Sequence, residues 1–137
     1  MNKPELYLLH LVKNRNDIVD EDKCYHTHGV AQFSKGYEVE ILLDISNEEA
    51  AGYIDNMVDN LIYDASYVHG EIVDCLGPKK VQVLVLNSYD NFDTLVYRLV
   101  IADDNGRFPN DPSCNLAYTK QYNLKRNCLA LECDVKF

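Results

Sequence analysis

Cys24, His26 and His28 stand in the pattern C-x-H-x-H, and on a β-strand that spacing sets all three on one face at steps of roughly 7 Å. Thiolate and imidazole are ligands that zinc takes in shells of three or four, and His10 or His69 could complete such a shell from a neighbouring strand. Glu38 and Glu40 follow in YEVEILLD. A carboxylate there, beside His26 or His28, could orient an imidazole and move its pKa toward working pH for acid/base catalysis. Against this chemistry, one face of a half-buried strand also accommodates Cys and hydrogen-bonded His with no metal, and no fourth ligand is identifiable. The chain has no G-x-S-x-G, no H-E-x-x-H and no phosphate-binding glycine loop. The expectation is therefore no metal, no cofactor and no catalytic residue.

Two other stretches could bind rather than react. In Leu95 to Pro112, LVYRLVIADDNGRFPNDP, an apolar β-branched run gives way to Asn105-Gly106, a dipeptide that takes two positive φ angles cheaply. Pro109 and Pro112 cannot donate to a ladder, so the backbone must leave the sheet in a stiff polar loop. Such a loop could present Asn105, Arg107, Phe108 and Asn110 to a partner. The second stretch is acidic: Glu48, Asp55 and Asp59 share the solvent side of a helix, Asp64 lies just past it, and Asp17 to Asp22 add a loop of the same sign.

Charge narrows the partners. The chain has 22 acidic against 13 basic residues, a formal net charge of −9. Nucleic acid is bound mainly through Lys and Arg that release phosphate counterions, so this balance excludes it as an expected partner. A basic protein is the sign-compatible alternative. Hydrophobic content of 47% with 26% charged residues argues against wholesale disorder. No apolar run approaches the roughly 18 to 20 residues of a membrane span, and Tyr7 to Val12 is broken by His10 with no cleavage pattern after it. Five cysteines, Cys24, Cys75, Cys114, Cys128 and Cys133, form no C-x-x-C and are odd in number. They are expected to be reduced, buried small hydrophobes in a cytoplasmic protein.

The elements that must position these residues follow from periodicity. At 137 residues the chain fits one domain over 1–137, a size that buries roughly two thirds of its unfolded surface. Strands are expected at Glu5 to Lys13, Cys24 to Val30, Tyr37 to Asp44, Tyr67 to Leu76, Val81 to Leu86, Leu95 to Ile101 and Cys128 to Phe137. Ser46-Asn47-Glu48-Glu49 is a capping box, after which Ala50, Tyr53, Ile54, Met57, Val58, Leu61 and Ile62 make a core-facing helical stripe. Gly52 inside that helix would permit close approach to the sheet. Asn87 to Asp93 reads as a polar connection with room for a helical turn, and the stretch from Pro112 through Lys125-Arg126 as irregular. Many strands with one long helix mean α+β, a mainly antiparallel sheet covered on one face by one principal helix.

Thr27 and Gly29 in YHTHGV, Glu38, the helix Glu48 to Ile62, Asp104, Gly106, Arg107, Phe108, Pro109, Asp111 and Pro112, with Gln121 downstream, together resemble the bacterial family known as domain of unknown function 4262. The resemblance spans about Cys24 to Asn123 and is most specific in NGRFPNDP. That family places tryptophans around the hairpin, whereas this chain has none. The resemblance implies a compact α+β domain and no activity. Together these features lead to an expected non-enzymatic, acidic protein-binding domain of inhibitor or immunity type, binding through Asp55, Asp59, Asn105, Arg107 and Phe108. The alternative is a small enzyme or a metal- or small-molecule-binding domain using the strand Cys24 to Gly29.

Overall fold

A computed structural model describes residues 8–13, 23–32, 36–87 and 95–122. The order along the chain is β1 (Leu8–Lys13), β2 (Lys23–His28), β3 (Tyr37–Leu42), α1 (Asn47–Ile62), β4 (Glu71–Val73), β5 (Val81–Asn87), β6 (Leu95–Ile101), α2 (Leu116–Thr119) and a 3-10 turn (Lys120–Tyr122). The strands make one six-stranded sheet in the order β1-β2-β3-β6-β5-β4. Among the described residues every pairing is antiparallel except β3 with β6. The class is α+β, as the patterning implies.

Alternation along the strands separates the two faces. Tyr25, Val39, Ile41, Val81, Val83, Tyr97, Leu99 and Ile101 join the core cluster with the α1 stripe Ala50, Tyr53, Ile54, Met57, Val58 and Leu61. The helix begins as its sequence dictates: the Glu49 amide donates to Ser46 Oγ at 3.1 Å, and the Glu49 carboxylate accepts from the Ser46 amide at 3.5 Å. Such a cap is worth about 1 kcal/mol. Its 16 residues compare with 4 in α2.

Several expectations change on contact with the structure. Gly52 is exposed with nothing near its missing Cβ, so it serves no close approach. Gly77 does: a Cβ there would overlap the ring of Tyr53, whose hydroxyl accepts from the Lys79 amide at 3.1 Å. The expected strand Tyr67 to Leu76 shrinks to β4, because Gly70 turns the chain at φ 88° and the short strand lies on the sheet edge with Glu71 and Ile72 exposed. The stretch after Pro112 holds α2 and the 3-10 turn rather than coil. Cys114 is buried as expected, but Cys75 is exposed. The expected strand Cys128 to Phe137, the acidic loop Asp17 to Asp22 and the connection 88–94 lie outside the described residues.

Candidate functional site

The face of the sheet opposite α1 carries the sequence's buried polar chemistry. In register, His10 pairs with His26, His26 with Glu40, and Glu40 with Arg98, a row running across β1, β2, β3 and β6. Arg98 Nε donates to Glu40 Oε2 at 2.6 Å, both side chains having no exposed surface. Arg98 Nη1 also donates to the Gln121 carbonyl at 3.1 Å. Gln121 imitates a strand residue: its Oε1 accepts from the Ile101 amide at 2.7 Å and its Nε2 donates to the Ile101 carbonyl at 2.9 Å. This pins the 3-10 turn to the end of β6.

These bonds decide the acid/base reading of Glu38 and Glu40. Glu40 lies beside His26 as expected, but its carboxylate is engaged by Arg98. Glu38 accepts from Thr27 Oγ1 at 2.7 Å and from the Val30 and Ala31 amides at 3.2 and 3.0 Å, clamping the turn after β2. Both carboxylates are structural acceptors. Arg98 is the residue of this face that the sequence reading does not single out, whereas Gln121 stands among the residues of the family resemblance. The signal for Arg98 was a single cation inside the apolar run LVYRLVI, which must find a buried anion in another strand.

His26 and His28 approach each other on β2. Their Nε2 atoms lie 3.1 Å apart, with ring centroids separated by 4.8 Å and planes at 83°. His26 is fully buried and His28 half-buried. Among the described residues, no group of three His, Cys, Asp or Glu side chains is close enough to hold a metal ion. His69 is elsewhere, its Nδ1 accepting from the Val85 amide at 2.9 Å.

The loop after β6 is organised by one carboxylate. Asp103 Oδ1 accepts from the Asn105 and Arg107 amides and Oδ2 from the Asn115 amide, all at 2.9 Å. The Gly106 amide reaches the Asp103 carbonyl at 3.0 Å, and the Asp103 amide reaches the Arg107 carbonyl at 2.9 Å. Among the described residues of this loop only Gly106 has positive φ, 77°. The expected pair of positive φ angles at Asn105-Gly106 is thus corrected to a three-residue loop with one glycine in the left-handed region. Arg107 is half-buried and its Nη1 donates to the Ser113 carbonyl at 3.3 Å, while Phe108 is half-buried and Asn105 and Asn110 are exposed. Cys114 is pushed up in pKa, by burial first and then by the charge of Asp103.

Asp103 makes this loop pH-sensitive. The amides of Arg107 and then Asn115 hold its carboxyl below the ordinary 3.8, against the opposing effect of burial. A depressed carboxylate stabilises the fold fully above its unfolded pKa, and that contribution is lost as pH falls through the lower folded value. In urea melts, the stability gap between the parent and Asp103→Asn is expected to stay constant from about pH 5 to 7 and to narrow below about pH 4. A gap unchanged down to about pH 2 would show that the charge of Asp103 adds nothing.

The acidic residues of α1 occupy its outer side: Glu48 is exposed, and Asp55 and Asp59 are half-buried. The other flank of that side, with Glu49, Asn56 and Gly52, lines a cleft of about 310 Å³ closed by Leu76, Gly77 and Pro78. Next along the chain, Lys79 Nζ donates to Asp104 Oδ1 at 2.5 Å and to the Tyr118 hydroxyl at 2.9 Å, lying 4.9 Å from the Tyr118 ring centre. Burial works against the Lys79 charge, but the Asp104 and Tyr118 bonds outweigh it and raise the pKa. The segment 76–79 therefore touches both α1 and the loop after β6.

No family model matches the chain, and no curated protein matches it. Among solved structures, a Neisseria gonorrhoeae protein described as a suppressor of fused (SUFU) homolog is similar in chain path, with 15% identity and a TM-score of 0.49. The similarity covers 72% of this chain and 60% of that one, so this chain spans less than two thirds of its neighbour.

Proposed function

We propose that the chain is a non-enzymatic binding domain that occludes a basic protein, in the manner of an inhibitor or immunity factor, and that it is a divergent relative of the family sharing the NGRFPNDP segment. The outer face of α1 carries this reading. Glu48, Asp55 and Asp59 recur there at helical spacing, on a helix fixed by its capping box and by a fully packed inner stripe. A rigid surface of one charge sign steers an oppositely charged partner and sets its orientation. The overall charge of −9 supports the same partner class. The loop ordered by Asp103 adds a second preorganised element, exposing Asn105 and leaving Arg107 and Phe108 half-covered at its base. No helix among the described residues is long and apolar enough to cross a membrane.

Salt is the test. Charge-driven capture is expected to weaken as ionic strength rises past about 0.1 M, where the screening length is roughly 10 Å. Affinity capture from the native host lysate should recover basic proteins with the parent at low salt, fewer at high salt, and none with Asp55→Lys, Asp59→Lys. Recovery of the same proteins by both forms at both salts would sink the acidic-face reading.

A further inference from the structure

We infer that the cleft between α1 and the segment 76–78 receives one arginine side chain of the basic protein partner. The inference rests on the protein-binding reading above and adds the point at which that partner inserts. The cleft holds about 310 Å³, at the small end of the roughly 300 to 1,000 Å³ of ligand pockets, which suits a single side chain rather than a folded element.

Three observations carry it. The first is Gly52. Glycine in a helix interior is less stable than alanine, and no crowding requires it here, since a Cβ at Gly52 would meet nothing within 4 Å. Its missing side chain opens a notch in the helix surface, one turn from Glu48 and one turn from Asn56, and all three line the cleft. The second is the fixed far wall. Asn56 Nδ2 donates to the Leu76 carbonyl at 2.8 Å, the Tyr53 hydroxyl accepts from the Lys79 amide at 3.1 Å, and Gly77 lies against the Tyr53 ring. A wall tied to α1 at these points is set before a partner arrives, which lowers the ordering cost of binding. The third is chemical complementarity. Leu76, Gly77 and Pro78 offer apolar surface, whereas the side chains at the mouth offer acceptors: the exposed carboxylates of Glu48 and Glu49, and the Oδ1 of Asn56, whose nitrogen serves Leu76. The start of α1 brings roughly half a positive charge, which the two carboxylates outweigh. Lys79, which follows this segment, is held by Asp104. An arginine side chain supplies what such a cleft lacks: an aliphatic stem and a weakly hydrated, planar cation with five donors and no acceptor. The ammonium of lysine is more strongly hydrated and gives up more on entering an apolar cleft.

The test titrates N-acetyl-arginine amide to about 20 mM into the isotope-labelled full chain and follows amide chemical shifts, a range set by the millimolar affinity ordinary for a ligand of that size. N-acetyl-lysine amide and N-acetyl-norleucine amide are the comparison probes. The expected result is saturable shifts at Gly52, Asn56 and Gly77 with the arginine probe, binding about tenfold weaker with norleucine, and lysine between them. Gly52→Leu should lose these shifts while melting at or above the parent temperature, because leucine fills the notch and is the better helix former. Glu48→Gln should weaken arginine binding about threefold. No saturable shift in the parent, arginine binding by Gly52→Leu equal to the parent's, or norleucine binding as tightly as arginine would each overturn the arginine site, the last by making the cleft a seat for an apolar group. Lysate capture separates this failure from that of the broader reading. Capture by Gly52→Leu at the parent level, with capture lost in Asp55→Lys, Asp59→Lys, would remove the insertion point and leave the acidic face, whereas capture indifferent to salt and to the double change would remove the acidic face itself.

Discussion

Replacing Arg98 by Met is expected to cost about 3 to 5 kcal/mol of unfolding free energy in urea melts, because it leaves the Glu40 carboxylate buried without its cation. Both side chains have no exposed surface and meet at 2.6 Å, so water cannot enter to solvate the remaining charge. The Gln121 carbonyl loses a donor in the same variant. A loss of that size is a large part of the roughly 5 to 15 kcal/mol by which domains are stable. The double variant Glu40→Leu, Arg98→Met removes both charges and is expected to be more stable than either single variant, since a buried pair gains little over apolar residues of similar volume. If the double variant is as unstable as the two losses added together, packing rather than the orphaned charge explains the effect.

On the other face of the sheet, Met57→Asp is expected to destabilise by about 4 kcal/mol or more. Met57 is fully buried in the middle of the α1 stripe, among residues that join the helix to β3, β5 and β6. An aspartate there must either ionise without a partner or bind a proton at a cost in pKa, and it also leaves the space of the lost methionine side chain unfilled. The test is a thermal melt at neutral pH. A variant that melts with the parent would mean that α1 does not pack through this stripe.

Much of this was legible in the residues, and what was not has physical causes. The helix could be read directly because its signals are local: the capping box lies within four residues and the stripe repeats at helical spacing over Ala50 to Leu61. The strands β3, β5 and β6 announced themselves through β-branched runs. Their order did not, because no feature of YEVEIL or LVYRLVI says which strand lies beside which. The bonds of Arg98 to Glu40 and of Gln121 to Ile101 span residues far apart in sequence, so the sequence names neither residue's partner. The loop after β6 failed for a different reason. Asn105-Gly106 permits a two-residue turn, but the Asp103 carboxylate selects a longer loop by gathering the amides of Asn105, Arg107 and Asn115. C-x-H-x-H is visible in the sequence, whereas the approach of the two Nε2 atoms to 3.1 Å is not fixed by that spacing.

The parallel pairing of β3 with β6 has a kinetic consequence. Each pair in the β3–β6 register is 58 residues apart in the chain, as Tyr37 with Leu95, whereas the β5–β6 hairpin closes between Asn87 and Leu95. Loop-closure entropy grows as the logarithm of that separation, so the β3–β6 seam costs about 2 kcal/mol more to close than the hairpin. The two antiparallel halves should therefore form before they are zipped together, and the Glu40–Arg98 pair, which lies on the seam, should form late. The stability lost in Arg98→Met is accordingly expected as faster unfolding, with refolding nearly as fast as in the parent. Refolding slowed in proportion to the lost stability would instead place the seam in the rate-limiting step.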